Sequence, residues 1–173
     1  MVWKSTLLSA VILHLFSSGA GQNMDPDVLM DSIFPPARPS LYNLNSLCLH
    51  GNGRFRYTAE SFPPSSFAHA RRAGKTMNRL EAWFGQCCYG GLAHKNGQIL
   101  CCAKQAWETA LSYFCLEEFS TKTLVHDCCE KKGGERWGCF EREAPNPYYQ
   151  PLPGYIAPQI SSDRIFTWDP KAC

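Results

Sequence analysis

Apolar residues return at helical spacing through the middle of the chain. Phe67, Ala70, Met77, Leu80 and Phe84 are separated by intervals that bring them to one face of an α-helix, and Ser65 or Ser66 stands where it can cap that helix. The pattern predicts a long helix running into Cys87-Cys88, with Gly74 as its weak point. Gly90-Gly91 and Asn96-Gly97 read as a turn, after which Trp107, Ala110, Leu111 and Phe114 predict a second helix beginning near Cys102, with Cys115 close to its apolar face. Ser120 can cap a third helix through Cys128-Cys129, where Gly133-Gly134 suits a left-handed stop. Asp25-Pro26-Asp27 ahead of Val28, Leu29 and Ile33 predicts a short further helix. No run alternates for long enough to build a sheet, so the expected fold is mainly α.

Between and beyond these helices the chain is punctuated. Phe34-Pro35-Pro36-Ala37-Arg38-Pro39-Ser40 cannot continue a helix, because each proline lacks a donor and constrains the residue before it. Phe55, Tyr57 and Phe62, after the Gly51-Asn52-Gly53 turn, predict a loop that packs through its rings. Beyond Cys139, Ala144-Pro145-Asn146-Pro147-Tyr148-Tyr149 and the prolines after it predict an irregular tail.

The amino terminus changes the picture. Lys4, an apolar run from Leu7 to Phe16, and then Ser18, Gly19 and Ala20 form the three parts of a signal peptide, with cleavage expected near Ala20. The run is well short of the roughly 20 residues a membrane-spanning helix needs. Secretion then makes disulfides the natural use of the cysteines, of which there are 10, all beyond the signal peptide. Zinc sites favour C-x-x-C or H-x-x-x-H spacing, whereas this chain has the adjacent pairs Cys87-Cys88, Cys101-Cys102 and Cys128-Cys129, so no metal or other cofactor is expected. Neighbouring helical residues project about 100° apart, so each pair should reach two different partners rather than close on itself. Which partners they reach is open on sequence alone. The net charge of +2 comes from intermingled acidic and basic residues, a pattern that offers nothing to nucleic acid or an anionic membrane.

Several segments together resemble the repeat of the extracellular matrix protein 1 family. They include Phe34-Pro35-Pro36-Ala37-Arg38-Pro39-Ser40, Pro64-Ser65-Ser66-Phe67-Ala68-His69, Asn78-Arg79-Leu80-Glu81 and Cys102-Ala103-Lys104-Gln105-Ala106-Trp107-Glu108. Glu118-Phe119-Ser120-Thr121-Lys122-Thr123, His126-Asp127-Cys128-Cys129 and Glu143-Ala144-Pro145-Asn146-Pro147-Tyr148-Tyr149 extend the likeness over nearly all of Phe34 to Tyr149. The resemblance implies a disulfide-stapled helical module like a serum-albumin double-loop domain, in a secreted matrix protein that binds other matrix or signalling proteins without catalysis. It also implies the crossed pairing Cys48 with Cys88, Cys87 with Cys102, Cys115 with Cys129 and Cys128 with Cys139. Cys101 and Cys173 are left over; the expectation is that they bond and pin the tail, the alternative that they stay free or pair between chains. Family members carry several repeats and this sequence one, so cross-linking through a second site is not expected.

These readings divide the chain into a signal peptide (1–20), a leading segment with the short helix and proline-rich stretch (21–47), the disulfide-linked module (48–144) and the Pro- and aromatic-rich tail (145–173). For a protein-binding surface the candidates are Tyr148, Tyr149, Tyr155 and Trp168, because exposed aromatic rings give contact area at small entropy cost. Carriage of a small apolar or anionic ligand is the alternative, with Arg71 or Arg72 meeting the head group. A calcium-dependent phospholipase is a third reading, since Cys87-Cys88-Tyr89-Gly90-Gly91 and His126-Asp127-Cys128-Cys129 are similar to fragments of its signature. Lys122 and Thr123 occupy positions where that signature has cysteines, and there is no G-x-S-x-G elbow, so no catalytic residue is expected.

Overall fold

The computed structural model describes residues 31, 33–58, 60–62, 68–89, 96–118 and 125–173. The signal peptide, most of the short helix expected over Asp25–Ile33, the caps Ser65, Ser66 and Ser120, and Phe67 lie outside the described residues. Within them the fold is mainly helical, with no strand.

Five helices carry it: α1 (Leu44–Leu49), α2 (Ala68–Tyr89), α3 (Asn96–Glu117), α4 (His126–Glu130) and α5 (Gly133–Glu143). The core is the α2/α3 hairpin. Its antiparallel sense follows from its contacts: Cys87 near the end of α2 is bonded to Cys102 near the start of α3, while Arg72 near the start of α2 pairs with Glu118 just after α3. Ala70, Ala73, Met77, Leu80 and Phe84 form the buried stripe of α2, and Ile99, Ala103, Ala106, Trp107, Ala110, Leu111 and Phe114 that of α3. Helix α5 lays Trp137 and Phe140 onto the α3 rings of Trp107 and Phe114, at centroid separations of 5.7 and 6.4 Å.

Two expectations from local sequence are corrected. Helix α3 begins at Asn96, not near Cys102, because Ile99, Cys102 and Ala103 extend the buried stripe and packing outweighs the low propensity of Gly97. Gly133 does take a left-handed φ of 52°, yet it opens α5 instead of closing the helix before it, which ended at Glu130. Cys139 therefore lies inside a helix, where burial of Phe140 on α3 holds the turn that glycine permits. Leu44–Leu49 is helical as well, burying Leu44 and Leu47.

Five disulfides join Cys48 to Cys88, Cys87 to Cys102, Cys101 to Cys173, Cys115 to Cys129 and Cys128 to Cys139, with no free cysteine left among the described residues. Each adjacent pair is divided between two partners, so α2 is tied to α1 and α3, and α4 to α3 and α5. The Phe55–Phe62 loop packs on α2 by its rings, with Phe55 and Phe62 buried and Tyr57 and Phe62 4.9 Å apart. Gly74 is the seat of that loop: a Cβ there would stand 3.0 Å from Tyr57 and Phe62.

Candidate functional site

The tail is irregular in backbone, but it crosses the helices as a belt held at successive points. Leu152 N–H donates to Gly53 O and Ala157 N–H to Asn52 O, both at 2.8 Å. A side chain on Gly53 would meet Pro151 at 2.5 Å, so the belt fits only because that position is glycine. Farther along, the Asp163 carboxylate accepts two hydrogen bonds from Arg79 at 2.7 and 2.9 Å, Phe166 stacks on Trp83 at 5.0 Å, and Arg164 lies 4.3 Å above the Tyr113 ring. Gln105 then exchanges two hydrogen bonds with the Asp169 backbone, one helical turn from the Cys101–Cys173 bond. Burial alone would lower the Arg79 guanidinium, but Asp163 and Glu117 outweigh it and hold Arg79 above its ordinary value.

The belt sorts the four aromatic candidates. Tyr149 is withdrawn from the surface: it is 3% exposed, its ring meets Phe84 edge-on, and its hydroxyl donates to Ala37 O. Burial pushes its phenol well above the usual range, so it stays a neutral donor. Tyr155 is half-buried, 6.0 Å from Phe55, and Trp168 is half-buried too. Tyr148 alone of the four is well exposed, at 63%.

Tyr148 has company that the sequence did not single out. Buried Asn43 donates to both Arg38 O and Pro147 O, at 3.0 and 3.1 Å, which clamps the Leu41-Tyr42 turn against Pro147. Leu41 and Tyr42 are 72% and 95% exposed, and this clamp ties their turn to Pro147, the neighbour of exposed Tyr148 about a hundred residues away in the chain.

A second feature is a cleft of about 340 Å³ between α1, α2 and the belt, with Arg54, Arg56 and Glu81 in its wall. Arg54 grips Glu81 with two hydrogen bonds, at 2.6 and 2.9 Å, and also donates to Ser46 O and Leu47 O. Arg56 lies 3.4 Å from the same carboxylate and donates to Gly51 O. The Arg54-Phe55-Arg56-Tyr57 alternation carried the signal for this wall, since an extended segment sends alternate side chains to one side.

The residues named for other chemistry are dispersed. Arg72 is occupied by Glu118 through two 2.7 Å bonds, and Arg71 is half-buried on the same helix. Met77, Trp107 and Phe114 are packed in the core. His126 lies 3.5 Å from Glu130 on its own short helix, Asp127 is exposed, and no group of His, Cys, Asp and Glu able to hold a metal occurs among the described residues. No described helix is long and apolar enough to cross a membrane.

The profile of the extracellular matrix protein 1 family matches residues 27–171, from the leading segment through almost the whole belt. This chain belongs to the extracellular matrix protein 1 family. It is 46% identical to human extracellular matrix protein 1 over 117 residues, which is 68% of this chain and 21% of the human protein. The rat and mouse proteins of that name are each 40% identical over 116 residues, 67% of this chain and 20% of theirs. The chain thus spans about a fifth of the length of the curated relatives it matches. No solved structure matches it. Membership in this family makes the chain a secreted protein of the extracellular matrix.

Proposed function

We propose that this chain acts in the extracellular matrix by binding other matrix or signalling proteins, without catalysis, and that the Leu41, Tyr42 and Tyr148 edge is its contact surface. The observation that carries the proposal is the Asn43 clamp: a buried side chain spends two hydrogen bonds to tie the turn of exposed Leu41 and Tyr42 to the segment of exposed Tyr148. Large exposed apolar side chains gathered on one edge favour a protein partner, because aromatic anchors dominate interface energetics. The non-enzymatic reading draws support from the surroundings of His126, whose partner is a carboxylate one turn away on its own helix. The domain division into module and tail becomes, in this reading, one module whose tail is part of the recognition unit.

The test is capture by chemical cross-linking in the matrix of the producing tissue, comparing the native chain with a Tyr42→Ala/Tyr148→Ala variant. Partners should be retained by the native chain and lost by the variant; equal capture by both would overturn the edge. A companion assay on phospholipid micelles with calcium should give no turnover. Hydrolysis that disappears in His126→Ala would overturn the non-enzymatic part.

A further inference from the structure

We propose that the cleft between α1, α2 and the Ala157–Ile160 stretch of the belt is a carboxylate site that receives a glutamate or aspartate side chain of a partner protein. This deepens the binding reading above and rests on it. Three observations carry it.

The first is charge. Of the ionisable side chains in the wall with a settled charge, Arg54 and Arg56 are positive and Glu81 negative, and all three are nearly buried, at 5%, 11% and 1% side-chain exposure. Arg54 uses Glu81 in a two-bond fork, while Arg56 donates to the neutral oxygens Arg54 O, Phe55 O and Gly51 O and takes only the longer 3.4 Å approach to a carboxylate already engaged. Carbonyl oxygens satisfy the donors of Arg56 but not its charge, so the wall holds two nearly buried guanidinium charges against one carboxylate, and a second carboxylate would balance them. Burial also lowers the Arg56 proton affinity, with Glu81 opposing and Arg54 adding to the effect.

The second is size. About 340 Å³ lies at the small end of ligand pockets, which suits one side chain and its near neighbours better than a cofactor. The third is the rim. Leu49 and Tyr89 line the mouth and are 65% and 72% exposed, so the flanks of an inserted acidic residue would meet apolar surface.

Gly85 provides the decisive variant. It lines the cleft from α2, and a Cβ built there meets nothing within 4 Å. Gly85→Glu therefore supplies a carboxylate from within and competes for the site, on a helix that glutamate suits better than glycine. Gly85→Ala leaves the cleft open and uncharged.

The experiment titrates the isotopically labelled secreted chain with the blocked peptide acetyl-Leu-Glu-Leu-amide, following the backbone amide at position 85 and the Arg56 side-chain resonances by NMR. Both should shift, in the native chain and in Gly85→Ala alike. Gly85→Glu should fold at least as well, by its thermal midpoint, and bind at least about tenfold more weakly, the equivalent of about 1.4 kcal/mol. Equal shifts from the glutamine counterpart of the peptide, or undiminished binding by Gly85→Glu, would overturn the proposal. So would laurate shifting the same resonances at lower concentration, which would assign the cleft to a fatty acid. Partner capture that persists in Gly85→Glu while the peptide fails to bind would remove this site and leave the wider binding reading standing.

Discussion

The α2/α3 hairpin and the belt lie against each other, yet they are held in different ways. The hairpin is a continuous apolar interface in which Trp83, Phe84, Trp107 and Phe114 are all at most 1% exposed. The belt sinks Tyr149 into that core and otherwise meets the module at separate points: a backbone pairing at Gly53, an ion pair at Arg79, a ring and a hydrogen bond on Trp83, an amide at Gln105 and a disulfide at Cys101. Area burial is cooperative and spread over many residues, whereas each point clamp can fail alone. The comparison teaches that damage to the hairpin should be global and damage to the belt local.

The hairpin side is broken hardest by Trp107→Ala. That side chain is fully buried and its indole N–H donates to Pro36 O at 2.8 Å, so the variant loses packing and leaves a buried carbonyl without its donor. The expected loss is about 3–5 kcal/mol, seen as a lower urea midpoint for the whole module. A loss confined to the Pro36 segment would contradict the cooperative picture.

The belt side is broken by Cys101→Ser/Cys173→Ser, which removes the clamp without leaving a lone thiol. Loop closure puts an upper bound of roughly 4 kcal/mol on that bond, but the effect should be local. Trypsin should cut after Arg164 faster in the variant, with the helical circular dichroism unchanged. Unchanged cleavage would mean that the other clamps suffice.

These two regions also differed in how far the sequence disclosed them. Helical stripes repeat, so α2 and the apolar face of α3 could be read from spacing. The belt has no period to read, because its anchors are single residues such as Asp163, whose partner Arg79 is 84 positions away. Neighbouring Tyr148 and Tyr149 look alike in sequence and separate in the fold: Tyr149 takes a φ of 54° and turns inward to Ala37 O, leaving Tyr148 outside. The Leu41, Tyr42 and Tyr148 edge depends on Asn43 bridging segments 104 residues apart, and the cleft needs α1, α2 and the belt to be in place at once. Such sites are products of tertiary structure, and local pattern does not contain them.

Within α2 the comparison sharpens at two glycines. A methyl on Gly74 would press on Tyr57 Cβ and Cγ, and Tyr57 is fixed by hydrogen bonds of its N–H and C=O with Asn78, so it cannot yield. Gly74→Ala should cost about 1–3 kcal/mol as overpacking. Gly85→Ala meets open space and should stabilise the chain by about 0.5–1 kcal/mol, since alanine is the better helix residue. Thermal midpoints moving in opposite directions would bear this out; a shared sign would show that Gly74 is not the seat of the loop.

The smallest expected effect belongs to the ion pair that fastens the belt to α2. Hydrogen bonding from Arg79 lowers the Asp163 carboxyl below its ordinary value, with burial opposing and Lys75 at 3.5 Å adding to the shift. A carboxyl lowered in the folded state contributes stability that is fully present above its unfolded value near 4, and that is lost as pH falls through the folded value. Asp163 is 40% exposed, so solvent screening should hold the contribution to about 1 kcal/mol or less. Glu117 remains on Arg79 at 2.7 Å when Asp163 is neutralised, which limits the loss further and keeps α2 and α3 together. Asp163→Asn should therefore leave the global urea midpoint nearly unchanged and raise tryptic cleavage after Arg164 at pH 7, where the native carboxylate is charged. Native and variant chains should be cut alike once the pH is below the folded value of Asp163, as followed by pepsin at its own sites in the belt. A difference that persists there would mean that Asp163 holds the belt by shape and hydrogen bonding rather than by charge.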